Sequence, residues 1–336
     1  MRAFALLQPL ALLIALATPG IGVAADSART EQVQVRLIPE RTSVRPDSEV
    51  LIGLEQKIIP HWHTYWQNPG DSGTPTSITW QLPAGASAGP ILWPVPARHK
   101  QGSLTNYGYA DRVLLLSSIK VPASATPGSS FPVSAKASWL VCEEICIPQQ
   151  AELSLTLKVS DTAGPAQRDI QAARAALPVD APWSATVAYA ADKIQLRVSS
   201  PELLAGKPAE LWFYPLKWGK INHGAPQAVS RDGDALVLDL QPGEAPGVSG
   251  DSLEGLLAVT EKTGDGMLTR GFNIRATSLT PPAPAAEAAV ENPGLFAAML
   301  LALAGGLILN LMPCVFPVLS IKALALIRHG AHAGVC

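Results

Sequence analysis

The sequence predicts a mainly β chain, two β-sandwiches followed by a transmembrane segment, and three observations lead there. Short apolar runs of period two recur between turn clusters over residues 31–160 and again over 183–276. Pro and Gly number 30 and 27 while aromatic residues make up only 6%, a mix that suits turn-rich β domains better than helical bundles. Residues 293–321 then form one nearly unbroken apolar stretch. A length of 336 residues suggests about two domains. A formal charge of -2 without a long basic or acidic run argues against a nucleic-acid partner and against an electrostatic membrane patch.

The elements follow in order. Residues 1–25 read as a signal peptide: Arg2 supplies the positive end, residues 4–17 are apolar but for Gln8 and Pro9, and Val23-Ala24-Ala25 offers small residues for cleavage. The alternative is an uncleaved anchor, for which the run is short. The first sandwich is expected over residues 26–160, with strands at 32–37, 49–54, 77–80, 112–116, 131–141 and 151–159. The Ala-rich stretch 166–177, ending at Pro178, predicts a short linker helix within residues 161–180. Clean alternation at 193–198 and 235–240 marks a second, smaller sandwich over 181–278, without cysteine and without a catalytic constellation. A stiff Pro/Ala linker covers 279–292. Residues 293–327 predict a transmembrane segment kinked at Pro313 and Pro317, with Lys322 and Arg328 after it marking the cytoplasmic side. Residues 26–292 then lie in the periplasm of a bacterial inner-membrane protein. A lone kinked span is an incomplete unit, so the chain is expected to be a piece of a longer polytopic protein.

Export changes how the cysteines read. Of Cys142, Cys146, Cys314 and Cys336, only the first two fall in the periplasmic part, where disulfides persist, and they are expected to pair. Two readings of that pair stay open. The ring is short, and ring closure of this length stabilises by only about 2 kcal/mol in the chain-entropy model, which favours a redox pair over a staple. Against that, CxxxC is a weaker redox signal than CxxC. Glu143 and Glu144 beside the sulfurs disfavour a thiolate.

Other candidates are equally two-sided. Cys314, between Pro313 and Pro317 in mid-membrane, is either a functional thiol or a small core residue. Cys336 receives no role. His61 and His63, placed on one face of a strand, could bind copper or zinc, or belong to a packed aromatic loop running to Gly73; no third ligand lies nearby in sequence. Asn106-Tyr107-Gly108-Tyr109 could cover a neighbouring disulfide or simply pack a hairpin.

With these residues in view, the chain resembles the DsbD family of thiol–disulfide interchange proteins, and within it the ScsB-like branch with a long N-terminal region. The resemblance rests on residues 61–73, on Asn106-Tyr107-Gly108 with residues 142–148, and on residues 310–322. It implies that both sandwiches are immunoglobulin-like, that the span begins a DsbD-type membrane domain, and that the chain is a protein-disulfide reductase needing no cofactor. It also implies that Cys142 and Cys146 are the redox pair, that Cys146 forms the mixed disulfide, that Asn106, Tyr107 and Gly108 form a cap loop, and that Cys314 is the first membrane cysteine. The implied electron donor is a thioredoxin-like domain. Acceptors would be a periplasmic disulfide isomerase, a peroxiredoxin-like protein or cytochrome c maturation proteins. The chain departs from the family in its shorter cysteine spacing, in having Asn106 where an aromatic residue is common, and in lacking a second membrane cysteine and the thioredoxin-like domain. Two further readings remain: a membrane-anchored binding module with a structural disulfide, and a copper-handling protein concerned with copper tolerance.

Overall fold

A computed structural model describes residues 25–206, 208–264, 266–279 and 299–305. The fold is mainly β. In the first block the strands are β1 (Ser27–Arg29), β2 (Val33–Pro39), β3 (Ser43–Val44), β4 (Glu49–Ile58), β5 (Thr64–Gly70), β6 (Ser77–Gln81), β7 (Ser87–Leu92), β8 (Ala97–Gln101), β9 (Leu104–Tyr109), β10 (Arg112–Lys120), β11 (Ser130–Cys142) and β12 (Cys146–Val159). They form a five-stranded sheet in the order β1-β2-β4-β10-β7, a four-stranded sheet β3-β12-β11-β6, and a three-stranded sheet β5-β9-β8. Alternation does the work that period two predicts: Val35, Leu37, Ile52, Leu54 and Leu115 from one sheet meet Val133, Ala135, Leu153 and Leu157 from the other in a single buried cluster.

All six expected strands of this block are present, several of them longer than expected. The structure adds others, and two of these correct the sequence reading. The aromatic stretch from Pro60 to Gly73 contains β5, and Asn106-Tyr107-Gly108 lie within β9. For the first the sequence leaves a strand and a packed loop open, and for the second a cap loop and a packed hairpin, because Pro69, Gly70 and Gly108 dilute the strand signal; the pairing of β5 with β9 is indeed irregular between Tyr65 and Gly70.

The expected helix is α1 (Arg168–Ala175). It is packed rather than free: Ile170 is fully buried with Ile38, Leu51, Leu114 and Leu116, on the face of the five-stranded sheet that points away from the main core.

The second block contains β13 (Val179–Asp180), β14 (Ser184–Tyr189), β15 (Ile194–Ser199), α2 (Pro201–Gly206), β16 (Glu210–Pro215), β17 (Ala228–Asp232), β18 (Ala235–Leu240), β19 (Leu253–Thr263) and β20 (Gly266–Ser278). The strands form a continuous sheet ordered β16-β19-β20-β14-β15-β18-β17, with β13 also on β20. Only two residue pairs, Thr186↔Thr277 and Val187↔Ser278, join β14 to β20. The sheet closes over on itself at that weak seam, so that Leu196, Val198 and Leu238 on one side share a core with Phe213, Leu257 and Val259 on the other.

The two blocks belong to one compact unit. Tyr214, Leu256 and Ala258 of the second block are buried in the same cluster as Trp66 and Tyr107 of the first. Residues 299–305 are helical. Among the described residues no helix is long and apolar enough to cross a membrane. The signal peptide, most of the Pro/Ala linker, most of the expected span, Cys314 and Cys336 lie outside the described residues.

Leu115 is fully buried at the centre of the first core. Leu115→Ala is expected to lower unfolding free energy by about 2–5 kcal/mol. A urea titration showing a loss below about 1 kcal/mol would contradict this placement of the core.

Candidate functional site

Strands β11 and β12 are paired without interruption from Ser130↔Lys158 to Cys142↔Cys146. The hairpin therefore delivers the two cysteines opposite each other, with Cα atoms 4.2 Å apart, and they are joined by a disulfide with an S–S distance of 2.04 Å. The ring is asymmetric. Cys142 is fully buried, whereas Cys146 and the three turn residues Glu143, Glu144 and Ile145 are exposed. Ile145, at 66% exposure, is a large apolar side chain presented at the tip. A groove of about 430 Å³ is lined by Trp139, Leu140, Pro148 and Gln150 of the hairpin together with Thr74, Pro75 and Ser77.

Cys142 is held from the side as well. Its N–H donates to the His63 carbonyl at 3.0 Å and its carbonyl accepts from the His63 N–H at 2.9 Å, an isolated antiparallel bridge. Residues opposed in this way project side chains to the same face. The His63 ring is stacked on His99 at 4.6 Å and meets Tyr65 edge-on at 5.2 Å. The Tyr65 hydroxyl lies 3.5 Å from Cys146 Sγ, within hydrogen-bonding reach of sulfur. At the tip of the β8–β9 hairpin, Gln101 Nε2 donates to the Glu144 carbonyl at 2.9 Å. The three-stranded sheet therefore flanks the cysteine ring and touches it at three points.

Two glycines make this approach possible. A Cβ on Gly108 would fall 1.9 Å from the Thr64 carbonyl oxygen, and one on Gly73 would fall 2.2 Å from the Tyr65 ring. Gly73 also has a φ of +110°, which disfavours other residues. Asn106 fixes the same loop, its side-chain carbonyl accepting from the Ser72 N–H and hydroxyl, both at 3.1 Å.

Burial, and then the neighbouring His99, lower the pKa of His63 to about 4; burial also lowers that of His99. Both rings are thus neutral near pH 7, and neither Nε2 has a hydrogen-bond partner. Burial raises the Tyr65 pKa, so its hydroxyl keeps its proton and can donate it to a sulfur anion.

The structure brings Cys142, Cys146 and His63 together, sets Asn106 and Gly108 beside His99 and Tyr65, and leaves His61 and the Tyr107 side chain away from the ring. His61 does not share a strand face with His63: it is exposed, in a turn, with a φ of 74°. Among the described residues no group of three or more His, Cys, Asp or Glu is placed to hold a metal ion. Asn106, Tyr107 and Gly108 form strand rather than loop, and all three are buried. The Tyr107 hydroxyl faces away, 3.1 Å from His223 Nδ1. Tyr65, His99 and Gln101 were missed. Tyr65 stood inside the quoted 61–73 stretch, and its alternation with Trp66 was the available signal; His99 and Gln101 carried none.

A disulfide at the end of a closed hairpin, exposed at one sulfur, is an arrangement suited to a thiol–disulfide exchange domain. Residues 34–158 match the family model described as thiol:disulfide interchange protein DsbD, N-terminal. Over residues 34–158 the chain thus carries a domain of the DsbD N-terminal type, and the match covers that domain and not the rest of the chain. Among solved structures, the N-terminal periplasmic domain of ScsB from Proteus mirabilis is similar at 20% identity, covering 74% of this chain and 94% of that one with a TM-score of 0.51. At that identity the likeness is one of fold. The yeast GGA1 GAE domain (11% identity, 38% and 94% covered, TM-score 0.23) and a protein of unknown function from Porphyromonas gingivalis (11%, 72% and 99%, TM-score 0.21) are more distant. No curated protein matches.

Two predictions follow from this geometry. Gly108→Ala forces β5 and β9 apart and is expected to cost about 1–3 kcal/mol or more, with loss of the Tyr65–Cys146 contact; unchanged stability in urea would refute the close approach. His63 has a folded pKa of about 4, below its unfolded value of about 6.5, so the unfolded chain binds the extra proton first. Stability is expected to be level above about pH 6.5 and to fall as pH drops towards 4. Urea midpoints across this window should show a shallower fall in His63→Phe than in the parent.

Proposed function

We propose that this chain is a periplasmic protein-disulfide reductase, taking electrons from a thioredoxin-like donor and passing them to oxidised periplasmic proteins. The observation that supports it best is the asymmetry of the ring, with Cys146 exposed and Cys142 buried. A donor thiolate can approach Cys146 Sγ in line, whereas Cys142 is shielded. As the donor sulfur bonds to Cys146, the Cys142–Cys146 bond breaks and Cys142 leaves with the electron pair and takes up a proton. The donor's second thiolate then attacks the donor sulfur of the mixed disulfide, releasing Cys146. The donor ends as a disulfide and the ring as two thiols. In the second half, Cys146 attacks an oxidised protein and Cys142 resolves the new mixed disulfide, restoring the ring and leaving the acceptor reduced.

In this reading the residues before 160 form an immunoglobulin-like exchange domain, the apolar stretch 293–327 anchors it in the inner membrane, and Cys314 begins the membrane part of the relay. Ile145, exposed next to Cys146, belongs to the surface on which partners dock, because a partner whose sulfur reaches Cys146 also covers it. Isomerases, peroxiredoxin-like proteins and cytochrome-maturation factors are the acceptor classes.

The test is covalent trapping. Cys142→Ser leaves Cys146 without its resolving partner and is expected to accumulate mixed disulfides with periplasmic proteins, visible on non-reducing gels; Cys146→Ser should accumulate none. Equal trapping by both variants would overturn the assignment. A reduction potential well below about -300 mV, the range of structural disulfides, would remove the relay role altogether.

A further inference from the structure

The three-stranded sheet has two faces, and strand alternation assigns each a different neighbour. His63, Tyr65, His99 and Gln101 lie on the face that meets the cysteine ring. Trp66, Arg98 and Tyr107, one position out of phase, lie on the other. That second face is covered by the second sandwich. The Tyr107 ring is edge-on to Tyr214 at 4.8 Å and to His223 at 5.0 Å, and its hydroxyl is 3.1 Å from His223 Nδ1. Trp66 is edge-on to Tyr214 at 6.0 Å. The Arg98 guanidinium lies 3.8 Å above the Trp212 ring and pairs with Glu210. Asn68 Nδ2, from the same strand as Tyr65, donates to the Pro215 carbonyl at 2.7 Å.

These contacts are not a loose inter-domain seam. Tyr107 and Trp66 are essentially fully buried, and the cluster they join runs unbroken into Tyr214, Leu256 and Ala258. By contrast, although β8 and β9 pair over five residues, β5, which carries Tyr65, has little ladder support. β5 pairs with β9 through only Thr64↔Tyr109, Tyr65↔Gly108 and Gly70↔Asn106, and the link to β11 is the single His63–Cys142 bridge. A strand so sparsely paired needs a packed face to hold its position, and the second sandwich supplies one.

We propose that the second sandwich is a structural part of the redox site: by clamping Trp66, Arg98 and Tyr107 it holds Tyr65, on the opposite face, against Cys146, and so sets the potential and exchange rate of the cysteine pair. Tyr107, Tyr214 and His223 are positioning residues in this scheme. Tyr65 is the group that touches the reacting sulfur. Its hydroxyl donates more strongly to the thiolate released at Cys146 than to the disulfide sulfur, so the contact favours the reduced state and eases release of Cys146 from a mixed disulfide. The inference rests on the exchange reading above and deepens it.

The test uses the full chain with dithiothreitol as the reductant and a glutathione redox buffer for the equilibrium. Tyr65→Phe is expected to slow reduction and shift the equilibrium towards the disulfide by roughly three- to tenfold, the effect of one hydrogen bond. Tyr214→Ala and Tyr107→Phe are expected to shift both quantities in the same direction. In a Tyr65→Phe background they should add nothing, because their effect passes through that hydroxyl. Tyr107→Phe removes only an oxygen, so it decides the matter if Tyr214→Ala fails to fold by circular dichroism. Unchanged rate and equilibrium in a folded interface variant, or effects that add fully to Tyr65→Phe, would overturn the proposal. A parent ring that resists dithiothreitol under native conditions would sink the exchange reading itself, and this inference with it, a result distinct from silence in the interface variants alone.

Discussion

The β11–β12 ladder is the constraint on which the rest of the site depends. Its 13 residue pairs run in unbroken register up to the cysteines, so backbone pairing closes the hairpin alongside the sulfur bond. A disulfide at the end of such a ladder restricts the unfolded chain by only a small loop, about 2 kcal/mol in the chain-entropy model. The core of the first sandwich is drawn from two facing sheets and includes neither cysteine, so it is expected to persist whether the ring is open or shut. A redox pair has to meet that condition, since a disulfide whose loss unfolds its domain cannot cycle.

The ladder brings the sulfurs together, and the neighbouring sheet decides how they differ. The exchange of two backbone hydrogen bonds between His63 and Cys142 ties down the buried cysteine, while Cys146 meets only the Tyr65 hydroxyl. Gly108 permits the strand contact and Gly73 permits the ring of Tyr65 to lie flat over the loop. These are positions where any side chain would displace backbone or a packed ring, so the site's shape rests on missing atoms as much as on present ones.

How much of this was legible in the sequence follows from the range of each interaction. Period two was enough for β2, β4, β10, β11 and β12, because each buries one face against a single core. The cysteine pair was legible because its spacing is local. Strands β5 and β9 were not, because both of their faces are engaged and glycine and proline interrupt them, so no clean alternation survives. Tyr65 and Cys146 are 81 residues apart, and His99 reaches His63 only through the β8–β9 hairpin; no local pattern encodes such a meeting. The second sandwich shows no catalytic constellation in sequence for the same reason: His223 meets Tyr107 across a separation of 116 residues.

The proposed division of labour between the cysteines then follows from electrostatics. Cys142 is fully buried, and an unpaired thiolate there would carry a large desolvation cost. The histidine opposite it does not relieve that cost near neutral pH, because burial keeps His63 uncharged down to about pH 4. Cys142 must therefore leave as a thiol, its proton arriving as the bond breaks, and it remains a poor nucleophile until a mixed disulfide is placed beside it. Cys146 has solvent on one side and a hydroxyl donor on the other, so of the two sulfurs it holds a negative charge at the lower cost, even beside Glu143 and Glu144. Attack, release and first contact with a partner thus converge on Cys146, and Cys142 is left the resolving role by its surroundings rather than by its own chemistry.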